Sequence, residues 1–376
     1  MSQVESLPTL KASVHDVRYF CALLRGVNFA NVSTRFSQIN SLNDRGLVVV
    51  VEEARTLLGK AYIFADVFDE FTFNADIPEA QPSQSQQAEV PDSIFEIPLN
   101  LFLECLNIFG TAGGSASNKS GKYKAWKKPG EESDDNESNE AEGDQEGRGG
   151  NKQAKAGAGR LEQFFSGSDR KTSMRLTYIG PGHPLTLIVA EDASGPTTTC
   201  EIATFDAEPH LELPFDSEQM VLKIILKSSW LRDALSELDP SYDKLTFIGN
   251  PPGVPEPGAQ TARERQRARL QAKPILRIEA TGTFGNTQMD YPNDRDVLES
   301  FECVKPVSFS YRFSHISRTV RALQTSVKTS LRIDSEGLLS LQFLMPSPTS
   351  RMNPSGSNDT SNFIEFCCLA LEDELV

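Results

Sequence analysis

One order of strands and helices occurs twice along this chain, and this repeat is the feature that most restricts its fold. Each half begins with a strand, at 10–14 and at 220–227, that leads into a short amphipathic helix. Further strands, a second helix and three more strands follow. The four predicted helices lie at about 16–25, 99–109, 229–238 and 314–326. Both halves are therefore predicted to run β-α-β-β-β-α-β-β-β, which indicates an α+β fold of two pseudo-repeated domains.

The predicted helices are apolar on one side only. In the first helix, Val17, Phe20 and Leu24 recur at the spacing of one helix face, and Gly26 is a residue that favours a helix end. In the helix at 229–238 the apolar side carries Trp230, Leu231, Ala234, Leu235 and Leu238. Because such a face packs on a sheet, the opposite face of each helix is predicted to remain free.

The chain is predicted to form two domains joined by a connector. Domain 1 is 1–205 with an insert at about 111–173, the connector is 206–219, and domain 2 is 220–376 with inserts at about 251–273 and 346–361. The inserts contain few apolar residues, so they cannot bury enough surface to offset the entropy lost on ordering. We therefore predict that they are disordered.

The composition excludes several classes of protein. No run approaches the roughly 18 apolar residues that a spanning helix needs, and residues 1–14 lack the basic and apolar regions of a secretory signal. The six cysteines form no Cys-x-x-Cys pair, which favours buried free thiols in a reducing compartment. Of the net charge of −15, nine acidic residues without a base lie in 131–146. The whole-chain charge therefore says little about any one surface.

Basic residues occur on or beside the predicted free faces of three helices. Those most suited to contact phosphate are Arg18, Arg25, Lys227, Arg232, Arg318 and Arg321. Lysine and arginine on helix faces can bind a nucleic-acid backbone without reading its bases. An ordinary solvated surface is the alternative, and the pattern alone favours it. The helix at 99–109 carries Asn100, Glu104 and Asn107 on its polar side and no base.

Three acidic residues in "DYPNDRD" are the strongest catalytic candidates. A metal-dependent nuclease would need carboxylates as close as Asp290, Asp294 and Asp296. Their spacing does not match a calcium loop, and Pro292 and Asn293 favour a turn. A polar loop is the preferred interpretation, so no catalytic or metal-binding residue is predicted.

No other motif predicts a cofactor. Residues 113–120, "GGSASNKS", resemble a phosphate-binding loop, but Asn118 stands where its second glycine should be. The four histidines, His15, His183, His210 and His315, lack the spacing of zinc ligands. The basic runs "KYKAWKK" and "RERQRAR" are interpreted as solvated loops, with nuclear import or transient DNA contact as alternatives.

Several longer motifs carry a resemblance to a known family. They are "GLVVVVEEARTLLGKAYIFADVFDEFTF", "LNLFLECLNIFG" and "MRLTYIGPGHPLTLIVAED" in the first half, and "KIILKSSWLRDALSELD", "TGTFGNTQMDYPNDRDVLESFEC", "TSLRIDSEGLLSLQFLM" and "IEFCCLALEDE" in the second. With them the chain resembles the PCNA-like sliding clamps. Within that superfamily it is most similar to the checkpoint-clamp subunits of the nine-one-one complex, of the Rad-one type.

The resemblance implies a DNA sliding-clamp fold whose helices line a channel and whose sheets lie outside. It implies a non-catalytic nuclear subunit that joins two sister PCNA-like subunits in a heterotrimeric ring around double-stranded DNA. An ATP-dependent clamp loader and repair and checkpoint proteins would be its further partners, with no membrane involved. The six basic residues would then face DNA. A metal-dependent 3'-5' DNA exonuclease and a homotrimeric replication clamp remain as alternatives.

Overall fold

The computed structural model describes most of the chain outside the predicted inserts. The described residues are 8–29, 37–42, 45–74, 93–110, 112, 171–191, 195–209, 212–252, 274–346 and 362–372. All of these ranges belong to one compact unit. Most of the predicted inserts, both basic runs and His210 lie outside the described residues. No helix in these ranges is long and apolar enough to cross a membrane.

The first half contains nine strands and two helices among its described residues. They are β1 (Leu10–Val14), α1 (Val17–Val27), β2 (Ser37–Leu42), β3 (Gly46–Glu53), β4 (Leu57–Phe64), β5 (Glu70–Phe73), β6 (Ile94–Ile97), α2 (Leu99–Leu106), β7 (Ser173–Tyr178), β8 (Leu185–Ala190) and β9 (Thr197–Ile202).

The second half has the same order of elements, except that its last helix is divided. They are β10 (Met220–Lys227), α3 (Ser228–Glu237), β11 (Tyr242–Gly249), β12 (Leu276–Gly282), β13 (Gly285–Tyr291), β14 (Leu298–Cys303), β15 (Val307–Arg312), α4 (Phe313–Arg318), α5 (Val320–Thr325), β16 (Lys328–Asp334), β17 (Leu339–Leu344) and β18 (Phe363–Cys368).

The predicted α+β fold of two repeated units is confirmed, with a correction to the number of strands. Each unit has five strands between its helices, where the predicted order has three, because that order did not count the strands β6 and β15 and lacked one further strand in each half. The segment 59–74 reads as one strand in the sequence, but a 3₁₀ turn, Ala65–Val67, separates it into β4 and β5. Strand β14 was missed because its side chains do not alternate cleanly between buried and exposed.

The last predicted helix is divided at Thr319. The backbone N–H and the side-chain hydroxyl of Thr319 both donate to the carbonyl oxygen of Ile316, at 3.0 and 2.8 Å. A hydroxyl that bonds a carbonyl one turn back competes with the regular helical ladder. The helix therefore turns tightly here and continues as α5.

Strand pairing repeats between the halves. In the first half the orders are β5-β1-β7-β8-β9 and β4-β3-β2-β6, and in the second they are β14-β10-β16-β17-β18 and β13-β12-β11-β15. Position by position, β18 corresponds to β9 and β13 to β4. The chain is thus two copies of one pairing scheme.

One pair of strands joins the two copies, and we call the contact between them the internal seam. Strand β18 of the second half pairs antiparallel with β4 of the first, from Phe363 opposite Tyr62 to Cys368 opposite Leu57. This pairing merges two sheets into one of nine strands. The rings of Tyr62 and Phe363 stack with their centroids 4.3 Å apart, which adds side-chain contact to the backbone ladder.

Residues 213–215 of the predicted connector lie on the face of the nine-stranded sheet that is turned away from the helices. Leu213 is buried and the partly buried Phe215 packs beside it, against a small apolar cluster from β3, β4, β18 and the residue before β17. The guanidinium of Arg332 lies 4.7 Å from the centroid of the Phe215 ring. A cation over an aromatic face is attractive, so this contact helps to hold the connector on the sheet.

Candidate nucleic-acid interface

Four helical elements form a continuous row on one side of the sheets. Helix α1 contacts α2 on one side and α5 on the other, and α5 in turn contacts α3. In α1 the buried side includes Val17, Phe20 and Leu24, as the periodicity predicted. The outward faces of the helices therefore make up one surface, which we call the helix surface.

Arg18 is held by a carboxylate at the start of α1. Asp16 is the N-cap and accepts a hydrogen bond from the backbone N–H of Arg18 at 3.1 Å. The Arg18 Nε atom donates to the same carboxylate at 2.8 Å. Both side chains are mostly buried, at 13% and 18% exposure. Arg18 thus contributes less free positive charge than the sequence suggested.

The Arg18 contact also changes the acidity of Asp16. Burial of this carboxyl would raise its pKa, but the hydrogen bonds and positive charge of Arg18 outweigh burial and lower the pKa below its ordinary value. The same hydrogen bonds raise the pKa of Arg18. The pair therefore remains ionised at neutral pH.

Arg25 and Arg321 lie near the C-terminal end of α1 and carry no carboxylate partner among the described residues. The Arg25 side chain donates to the carbonyl oxygen of Ala112, and Arg321 donates to the carbonyl oxygen of Asn28 at 3.0 Å. A backbone carbonyl orients a guanidinium but does not neutralise its charge. Because Arg321 is exposed, this part of the helix surface is the best placed to contact phosphate.

Two of the other predicted residues are also paired with carboxylates. Arg318 contacts Glu53 at 3.2 Å and so links α4 to the end of β3, while Arg232 contacts its neighbour Asp233 at 3.0 Å. Lys227 is exposed at the N-cap of α3. The six predicted residues thus lie on or beside the helix surface. They differ in how much of their positive charge is neutralised by a carboxylate.

Helix α2 interrupts the basic surface, as its sequence predicted. Asn100 and Glu104 are exposed, and Asn100 accepts a hydrogen bond from the side chain of Asn28 at 2.8 Å. Leu101 and Ile108 are also exposed, at 44% and 50%. These two apolar side chains were not predicted to face solvent.

The three candidate nuclease carboxylates do not converge. Asp290 pairs with Arg277, with a shortest distance of 2.6 Å, on the neighbouring strand. Asp294 instead accepts the backbone N–H of Asp296 at 2.9 Å and closes a turn. Within the described ranges, no three His, Cys, Asp or Glu side chains form a group that could hold a metal ion.

The cysteines are free thiols, as predicted, and four of the six are buried. Burial raises the pKa of Cys21, Cys367 and Cys368 to about 12, so these thiols are protonated at neutral pH. They are therefore packing residues. Cys105 and Cys200 are half-buried.

Comparison with known proteins identifies the family. The family model described as "Repair protein Rad1/Rec1/Rad17" matches residues 9–345. The chain belongs to the Rad1/Rec1/Rad17 family. It is 29% identical to the mouse (Mus musculus) "Cell cycle checkpoint protein RAD1" over 89% of this chain and 86% of that protein. It is 26% identical to "DNA repair exonuclease REC1" of Mycosarcoma maydis over 91% of this chain and 88% of that protein.

A solved structure supports the sliding-clamp fold. The proliferating cellular nuclear antigen of Entamoeba histolytica superposes with a TM-score of 0.56, at 12% sequence identity, over 97% of this chain and all of that one. Together with the family match, this confirms the predicted PCNA-like fold and the Rad-one type resemblance. The identity of 12% is too low for this structure to inform on function.

The Asp16–Arg18 pair predicts a pH-dependent contribution to the stability of this Rad1-family chain. The folded-state pKa of Asp16 lies below its unfolded value, so the stabilisation is fully present above the unfolded pKa, about 3.9. It is lost as the pH falls through the lower folded pKa. Asp16→Asn keeps a side chain that can cap α1 but removes the charge.

We expect Asp16→Asn to be less stable than the wild type at pH 7 and this difference to shrink as the pH falls below about 4. Chemical denaturation of both proteins at a series of pH values measures this difference in free energy of unfolding. If the difference in free energy of unfolding between wild type and variant stays constant down to pH 2.5, the ion pair does not contribute to stability.

Proposed function

We propose that this chain is a non-catalytic subunit of a heterotrimeric ring-shaped clamp that encircles double-stranded DNA. In the proposed role, the ring acts in the nucleus in DNA damage checkpoint signalling and repair, and it recruits checkpoint and repair proteins. The names of its relatives support this role, since they describe checkpoint and DNA repair proteins. The PCNA-like fold supports the ring.

The observation that carries the proposal is the pair of strand edges left open. Strands β9 and β13 stand at sheet edges among the described strands, although their counterparts β18 and β4 pair at the internal seam. Exposed backbone donors and acceptors on an edge favour pairing with another chain. If β9 of one subunit pairs with β13 of the next, every seam of the ring repeats the internal one.

Such pairing can close into a ring. A contact between two different surfaces is heterologous, and it closes when the rotation per unit divides a full turn. Three subunits with two repeats each would give six similar units. The helix surface would then line the channel and the sheets would form the outside, with domains 1–205 and 220–376 as the two repeats.

The proposed mechanism is topological. A closed ring holds DNA by enclosing it, so no bond is made or broken and no catalytic residue is required. Weak contacts with phosphate are sufficient to centre the duplex, and they depend on charge rather than on base sequence. Arg25 and Arg321 would supply most of this charge, with Lys227 and the paired Arg18, Arg232 and Arg318 around them. Opening of the ring would require an ATP-driven clamp loader.

A metal-dependent 3'-5' DNA exonuclease is the second candidate function. The observation that favours it is the relative named as a DNA repair exonuclease. The contacts of the carboxylates in "DYPNDRD" argue against a nuclease site there, because Arg277 neutralises Asp290 and Asp294 closes a turn. A homotrimeric replication clamp would have the same fold with three identical subunits.

Solution mass separates these assemblies. We expect the chain alone to be a monomer by light scattering, and to join a stable one-to-one-to-one complex when it is co-expressed with the two sister clamp subunits of the same organism. A homotrimer alone would instead favour a replication clamp. A monomer that ignores both sisters would contradict the ring.

Charge reversal tests the helix surface. In the assembled ring, Arg25→Glu with Arg321→Glu should lower retention on closed circular DNA at least tenfold at low salt and reduce the slope of log affinity against log salt by roughly two. Arg45→Glu with Lys305→Glu is the matched control, since both residues are exposed and lie outside α1 to α5. Equal retention by the two double variants would exclude the proposed contact.

Replacement of the three carboxylates tests the nuclease. We expect any magnesium-dependent exonuclease activity in purified protein to be unchanged by Asp290→Asn, Asp294→Asn and Asp296→Asn together, because Asp290 pairs with Arg277 and Asp294 closes a turn. The assay is release of nucleotides from the 3' end of a labelled duplex, with the light-scattering mass as the control for assembly. Loss of activity with normal assembly would make the exonuclease the better assignment.

A further inference from the structure

The internal seam brings two helices unusually close. Gly26 is the tenth residue of α1, and a Cβ there would overlap Cδ1 of Ile364 and lie 3.4 Å from Cβ of Ala322 on α5. Ala322 is the tenth residue counted from the start of α4 at Phe313. Two small residues thus allow the helices of the seam to touch.

The open edges carry very different residues at the corresponding places. The tenth residue of α3 is Glu237, which is exposed. At the same count from the start of α2, two residues past its end, stands Ile108, which is 50% exposed. The third residues of α1 and α3 also differ in exposure, since α1 lies at the internal seam and α3 at an open edge. Tyr19 of α1 is 7% exposed, whereas Trp230 of α3 is 44% exposed although its helix periodicity predicted burial.

A second copy of this chain would fit these edges poorly. If α2 of one copy packed beside α3 of another as α5 packs beside α1, the Ile108 side chain would lie against the Glu237 carboxylate. A carboxylate that loses water without gaining a partner is strongly destabilised.

The charge of the α3 edge points to the partner that would fit. Arg232 neutralises Asp233, which leaves Glu237 and Asp239 as the acidic groups at the end of α3. A basic side chain opposite Glu237 would pair with it and keep the carboxylate ionised at the interface. The exposed Trp230 supplies a large apolar surface beside it, of the kind found at the centre of interfaces.

We propose that the edge formed by α3 and β13 binds a PCNA-like sister subunit whose helix presents lysine or arginine where this chain has Ile108. Glu237 is the residue that selects this sister and rejects a second copy of the chain. The inference rests on the proposed ring and adds the partner chemistry of one of its seams.

A gain of self-association tests the rejection without any sister subunit. Ile108→Lys should let β9 and α2 of one copy bind β13 and α3 of the next, so its self-dissociation constant in sedimentation velocity should fall at least tenfold below the wild-type value at 50 mM salt. Adding Glu237→Lys should abolish the gain. Adding Glu218→Lys, at an exposed position before β10, should not. Wild-type behaviour of Ile108→Lys would overturn the proposal.

Loss of a sister contact tests the selection. Asp233→Lys with Glu237→Lys should weaken the complex with one sister at least tenfold and spare the contact with the other, as measured by pairwise binding. Glu218→Lys with Glu336→Lys makes the same change of charge at exposed positions outside α3 and β13, and should bind both sisters normally. Undiminished binding of the α3 variant would overturn the proposal. Failure of the wild type to bind either sister would contradict the ring itself, and the self-association experiment would still decide the role of Glu237.

Discussion

Antiparallel pairing of β18 with β4 is the interaction on which the rest of the structure depends. It joins strands about 300 residues apart and unites the sheets of both halves. Because this pairing fixes one half against the other, it also brings α1 beside α5 and sets Arg318 next to Glu53. The continuous row of helices is therefore a consequence of one backbone ladder. Without that ladder, each half would expose an edge strand and one side of a helix.

The same packing that builds the helix surface limits its charge. Arg18, Arg232 and Arg318 each lie beside a carboxylate. These pairs add structure at the ends of helices but cancel much of the field that a DNA phosphate would meet. Among the six predicted residues, Arg25 and Arg321 are the two whose hydrogen-bond partners in the described part of the chain are backbone carbonyls. A surface of this kind would suit the proposed ring, since strong phosphate contacts would slow sliding on DNA.

Local patterns in the sequence were sufficient for the repeat and for the helices. Val17, Phe20 and Leu24 predicted the buried side of α1, and Asp16 two residues before Arg18 is a pattern that could have indicated their pairing. Contacts between distant residues could not be predicted in this way. Arg318 and Glu53 are 265 positions apart, and nothing near either residue indicates the other. The helix period predicted Trp230 to be buried, but it is 44% exposed, and the proposed seam with another chain would cover it.

Backbone pairing alone cannot determine which chain occupies an open edge. Backbone N–H and C=O groups are the same in every protein. Those of β9 and β13 would therefore accept a second copy of this chain as readily as a sister subunit. Discrimination must come from side chains next to the strands, through contacts that favour one partner and penalise another. At the internal seam, Gly26 and Ala322 permit the closest approach of two helices. At the corresponding place on α3, a carboxylate takes the position of that glycine. One repeated fold can therefore support one seam within the chain and a different, selective seam at its open edge.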